Sequence, residues 1–264
     1  MRLHRYLTTP SLPNTQTTIL TSLTGYQPYW DWTKSINNIS AYPLFDGSAY
    51  SISGDGAYDP STGDYDVGPY HFPHGTGGGC VTSGPFINLE LHLGPIPISV
   101  LADQVLPANW THRHNHCLRR DFNVPVAQRF SNATAVAHLL NAPDIGEFQS
   151  RMSGVGTKPP GPHTAGHLQI GMDMFDLFTS PGDPAFFFHH ANVDRMWTIW
   201  QERDLLNRQY ALNGTVLNYD PPEAPLLTLE TVVDWGVLGG ARPFVELMSN
   251  VRYGFNYVYE DMSG

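Results

Sequence analysis

The sequence predicts a mainly α protein, a single domain over residues 1–264 in which a few helices are joined by long loops. Three observations predict it. The segment from Asp183 to Asp204 supplies an N-cap residue, a proline suited to the first helical position and apolar side chains on several faces, the pattern of a buried helix. Two shorter stretches, from Ala133 to Asn141 and from His163 to Ile170, carry helical patterns that stop before Pro143 and at Gly171. Finally, 25 Gly and 22 Pro beside 13 Phe, 13 Tyr and 6 Trp describe loops held by aromatic packing.

Along the chain, residues 1–24 read as a helix starting near Leu3, interrupted by Pro10 and Pro13. From Tyr26 to Gly79 the composition is that of ordered loop. Residues Phe86 to Leu93 alternate apolar and polar, which predicts a short peripheral strand. Gly166 and Gly171 in the histidine-bearing helix permit close packing. There is no internal repeat, low-complexity tract or linker.

Charge and hydropathy exclude several partners. With 14 Lys+Arg against 24 Asp+Glu, a net charge of -10 repels a phosphate backbone, so no nucleic acid is expected. No apolar run approaches the roughly eighteen residues a membrane helix needs, so no membrane partner is expected either. The first residues lack the pattern of a signal peptide. Four N-x-[ST] sequons, at Asn38, Asn109, Asn132 and Asn213, accompany two cysteines, Cys80 and Cys117, able to form one disulfide. Together they predict a secreted parent protein whose leader is not in this chain. Oligomeric state is not written in the sequence.

The chemistry gathers on histidines. His163 and His167 are four residues apart, so on a helix their imidazoles share a face and can share a metal ion. His189 and His190 sit in the first turns of the apolar helix, where two adjacent imidazoles are costly to bury without partners. The string from Asp183 to Asp194, DPAFFFHHANVD, resembles the CuB signature of tyrosinases, catechol oxidases and haemocyanins. With Gly161-Pro162-His163, His167, Gly25-Tyr26-Gln27-Pro28-Tyr29-Trp30-Asp31-Trp32 and Tyr257-Val258-Tyr259, it is most similar to short fungal tyrosinases and catechol oxidases.

That resemblance implies a type-3 dinuclear copper fold with a four-helix-bundle core, in which His163, His167 and His190 hold the CuB copper through ring nitrogens. It assigns Phe186, Thr164 and Leu168 to the substrate gate and places Asp194 and Arg5 around the ligands, with Asp194 expected to orient a ligand or pair with Arg5 or Arg195. His4, in His4-Arg5, takes the place of the last CuA histidine. The other two would precede residue 1, and Leu3 and Leu12 differ from the family pattern. This chain is therefore expected to lack the N-terminal CuA part, to bind one copper or none, and to show little oxidase activity.

The implied reaction of the full-length parent is oxidation of o-diphenols, and possible hydroxylation of monophenols, to o-quinones with dioxygen. Phenolic substrate and dioxygen are the implied partners. Thr164 and Pro160 stand where monophenol-hydroxylating relatives have Asn and Glu, which favours diphenols. Two alternatives are an oxygen carrier like haemocyanin and an inactive remnant holding at most one metal. A further cluster, His112, His114 and His116, would put three imidazoles on one side of a strand as a second metal site. His71, His74, His92 and His138 read as structural.

Overall fold

A computed structural model describes residues 26–96, 108–154, 158–217, 220–260 and 262; the expected helix from Leu3 lies outside them. Six α-helices and eight short strands occur among the described residues. The helices are α1 (Val124–Phe130), α2 (Ala133–Leu140), α3 (Ile145–Ser153), α4 (Pro162–Ile170), α5 (Ala185–Glu202) and α6 (Leu205–Arg208). Helix predominates, as the sequence predicts. The three foreseen helices are present as α2, α4 and α5, whereas α1 and α3 fall in stretches with no predicted helix.

Local chemistry explains each start. Asn123 Oδ1 accepts from the Val126 amide at 3.2 Å, and Pro125 sits in the first turn of α1. Asn132 Oδ1 caps α2 through the Ala135 amide at 2.9 Å. Asp144 accepts from the Glu147 amide at 2.8 Å, the first half of a capping box that opens α3. At the start of α5, Asp183 Oδ1 accepts from the Ala185 amide at 2.8 Å.

The chain forms two compact units: residues 30–136 with 152–189, and, of those described, 26–29 with 137–151 and 190 onward. Helices α2, α3 and α5 run from one into the other. In the first unit, β1 (Gly56–Tyr58) pairs antiparallel with β4 (Gly78–Val81), β2 (Tyr65–Val67) with β3 (Tyr70–Phe72), and β5 (Glu90–Leu91) with β6 (His116–Cys117). The region expected to be loop thus holds four strands of three or four residues, too short to show an alternating pattern. The strand expected over Phe86 to Leu93 shrinks to Glu90–Leu91, because β6 offers only two residues to pair with. Cys80 and Cys117 form a disulfide.

Two apolar groups organise this unit. Trp30 meets Phe45 edge-on at 4.9 Å between ring centres, Phe45 meets Phe122 at 5.5 Å, and the Arg120 guanidinium covers Phe45. Phe72, Val126, Phe130, Ala165 and Leu168 form the other, packing α1 against α4. The far end of α4 is tied by the Asp121 and Asn123 amides, which donate to the Ile170 and Gln169 carbonyls at 2.8 and 2.9 Å.

In the second unit, α5 is the spine. Trp200 is buried, stacks obliquely with Phe148 at 5.1 Å and donates its indole N–H to the Ala142 carbonyl at 2.8 Å. The chain from Gln27 joins the Tyr257-Val258-Tyr259 segment through its amide, which donates to the Val258 carbonyl at 2.9 Å. Strands β7 (Val232–Val233) and β8 (Arg242–Pro243) make a small antiparallel pair.

Candidate metal centre

Helix α4 begins on Pro162 and ends where Gly171 turns at φ +68°, a conformation suited to glycine. His163 and His167 lie one turn apart on it, their ring centres 5.0 Å apart and nearly perpendicular. From the first turns of α5, the buried His189 ring lies parallel to His163 at 5.4 Å and edge-on to His167 at 4.7 Å. Gly166 makes room for it: a Cβ there would fall 2.0 Å from His189 Cε1. Ring nitrogens of His163, His167 and His189 come within 4.8 Å of one another. His190 is the next residue of the same helix and is also buried.

Each ring is held by its other nitrogen. His167 Nδ1 donates to the Met174 carbonyl at 2.7 Å, and His163 Nδ1 lies 3.3 Å from Ser153 Oγ. Trp32 Nε1 donates to His189 Nδ1 at 3.0 Å. The Trp30 amide anchors the same segment by donating to the Phe188 carbonyl at 3.0 Å.

Burial holds both α4 histidines neutral. It depresses His163 well below the ordinary value, with His167 adding to the effect, and lowers His167 to about 4 against a small opposing pull from its Met174 hydrogen bond. A set of neutral imidazoles with no carboxylate among them fits copper, for which imidazole nitrogen is a good donor.

These shifts have a stability consequence for the metal-free protein. Above the unfolded value of 6.5, His167 is neutral in both states and contributes no pH dependence. Between 6.5 and about 4 the unfolded chain takes up a proton that the fold refuses, so stability falls as pH falls. The loss from His167 should be on the order of 2 kcal/mol, trimmed because the ring is partly exposed. Thermal melts of metal-free protein from pH 7 to 4 should show a falling Tm and a shallower fall in His167→Gln; parallel curves would contradict this.

The remaining sequence assignments separate clearly. Phe186 is buried with its ring 6.0 Å from His167. Thr164 lies beside it on α4, where its hydroxyl donates to the Ser153 carbonyl at 2.6 Å. Leu168 is fully buried, in the cluster that packs α4 against α1. Asp194 is buried, and its Oδ2 accepts from Tyr257 and Tyr259 at 2.6 and 2.8 Å; the Arg195 guanidinium covers the Tyr29 ring. Leu3, His4 and Arg5 lie outside the described residues.

The cluster at His112 to His116 does not converge on a metal. His114 Nδ1 bonds the Gly94 carbonyl, and His116 spends both nitrogens, on the His114 carbonyl and on Asp173 Oδ1 at 3.0 Å. Among the described residues, the one convergent group of ligand-type side chains is that on α4 and α5. Ser153 and the Met174 carbonyl escaped the sequence reading because nothing in a residue's identity marks it as a partner of a histidine seven or ten positions away.

Residues 4–203 match the common central domain of tyrosinase. Fold and imidazole cluster together define an oxidoreductase of the copper-dependent, phenol-oxidising class. The chain is 41% identical to Tyrosinase P of Aspergillus terreus over 243 residues, covering 89% of this chain and 68% of that protein. It is 41% identical to an oxidase of Aspergillus hancockii over 245 residues, covering 89% and 84%. A solved polyphenol oxidase variant from Thermothelomyces thermophila superposes with a TM-score of 0.83 at 35% identity, covering 98% of this chain and 72% of that one. The chain belongs to the tyrosinase family.

Proposed function

We propose that the full-length parent protein oxidises o-diphenols to o-quinones with dioxygen, at a site whose one copper is held by His163, His167 and His190. The observation that carries this is the state of His167: its Nδ1 proton is committed to the Met174 carbonyl, so its Nε2 lone pair is offered to a cation in a pocket that keeps the ring neutral. Copper supplies reversible electron transfer between the diphenol and dioxygen. Two electrons and two protons leave each diphenol, and two diphenols reduce one dioxygen to two waters.

The chain's own groups favour the diphenol. Phe186, against His167, presents an aromatic face to an incoming ring. Thr164 is turned to the Ser153 carbonyl, to which its hydroxyl donates, and it brings neither the amide nor the carboxylate oxygen that would accept from a water and make it a base for a phenol proton. An N-acetyl-6-hydroxytryptophan oxidase of Emericella nidulans, 36% identical over 254 residues with 89% of this chain and 69% of that protein covered, shows that a hydroxylated aromatic is the substrate of one relative. His4 is proposed as a ligand of the second copper, with Arg5 beside it. The sequons and the Cys80–Cys117 bridge support a secreted setting.

Elemental analysis of copper and oxygen uptake with catechol test the reading together. The full-length parent protein should bind copper and form quinone, whereas its His167→Ala variant should lose that copper and fall to background. Wild type that binds copper and dioxygen reversibly without forming quinone would overturn the oxidase reading in favour of a carrier.

A further inference from the structure

Two consecutive imidazoles reach the start of α5, and the structure distinguishes their chemistry. An indole nitrogen can only donate, so the 3.0 Å bond from Trp32 makes His189 Nδ1 the acceptor and leaves the ring proton on Nε2. His167 is the opposite case: a carbonyl can only accept, so Nδ1 carries the proton and Nε2 the lone pair. A metal needs the lone pair. His189 stands among His163 and His167 as closely as a ligand would, yet in this tautomer its Nε2 presents a proton.

We propose that Trp32 is a positioning residue that selects the copper ligand: by fixing His189 as the Nε2–H tautomer it withholds that imidazole from the metal and reserves ligation for His190. This rests on the copper reading above. Two features make the lock rigid. The Trp32 and His189 side chains are both fully buried, and Gly166 leaves the His189 ring no slack, with its would-be Cβ at 2.0 Å from Cε1 and 2.4 Å from Nδ1. The Trp30 amide, bonded to the Phe188 carbonyl, keeps the tryptophan segment in register with the turn that carries His189. Ring-nitrogen distance alone does not tell His189 from the other histidines of the group; the hydrogen-bond direction does.

Nitrogen-15 NMR of the metal-free full chain, labelled on histidine, reads the tautomers directly. His189 should show a protonated Nε2 and a bare Nδ1, with His167 the reverse as an internal reference. Copper titration then reads the selection. His189→Gln should cost no more than about 10–100-fold in copper affinity, the range for groups that surround a site, whereas His190→Gln should cost well over about 100-fold. Adding Trp32→Phe to His190→Gln should recover roughly tenfold of that loss, because the freed His189 can then turn its lone pair to the metal. A protonated Nδ1 at His189 in the wild type, or equal losses from the two histidine variants, would overturn the proposal. Wild type that binds no copper would instead overturn the metal reading, and the tautomer measurement, which needs neither metal nor a variant, would still decide the lock.

Discussion

Arg120→Ala should remove a large part of the protein's stability. The Arg120 and Asp183 side chains are both fully buried and form a two-pronged pair, Nε and Nη2 each donating to one carboxylate oxygen at 2.9 and 2.7 Å. The third nitrogen donates to the Ser53 carbonyl at 2.7 Å and the Gly54 carbonyl at 3.3 Å, so one side chain satisfies two other chain segments. Truncating it strands a buried carboxylate, which costs about 3–5 kcal/mol, against total stabilities of about 5–15 kcal/mol. Arg120→Lys should rescue little, since a single ammonium cannot make the fork. Urea titration or thermal melting checks this, and an Arg120→Ala protein melting within a few degrees of wild type would refute it. Because Asp183 also caps α5 two residues before Ala185, the damage should reach the helix that carries His189.

Gly166→Ala should also destabilise, although it replaces a poor helix former with the best one. On an open helix surface that exchange gains about 1 kcal/mol. Here the new methyl carbon would lie 2.0 Å from His189 Cε1, and the ring cannot retreat without breaking its bond to Trp32. Overpacking of this kind costs about 1–3 kcal/mol, so the net change should be a loss, accompanied by weaker copper binding. A Gly166→Ala protein that melts higher and keeps its copper would show that α4 and the first turns of α5 can part freely.

How far the sequence discloses this arrangement depends on the distance over which each signal acts. Helix α5 is legible because Asp183, Pro184 and an unbroken apolar run lie side by side, and His163 and His167 because helix geometry alone brings residues four apart together. Helix α3 carries a readable signal too, Asp144 followed three positions later by Glu147, but its apolar face is sparse. Helix α1 has only seven residues, too few for a period to stand out. Leu168 follows His167 directly, which turns its side chain about 100° around the helix, and its packing against Val126 and Phe130 could not be read from that spacing. The His112 to His116 spacing does not act as a strand would: only His116 and Cys117 adopt strand, so the alternation that would align the rings is absent.

The contact between Trp32 and His189 spans 157 positions of sequence. Closing so large a loop is entropically unfavourable until neighbouring packing is in place, so this contact belongs among the late events of folding rather than in its nucleus. The histidine that it orients therefore acquires its final state only after α4 and α5 have docked. Copper meets a finished pocket: added metal should slow unfolding of the mature protein while leaving its refolding rate unchanged.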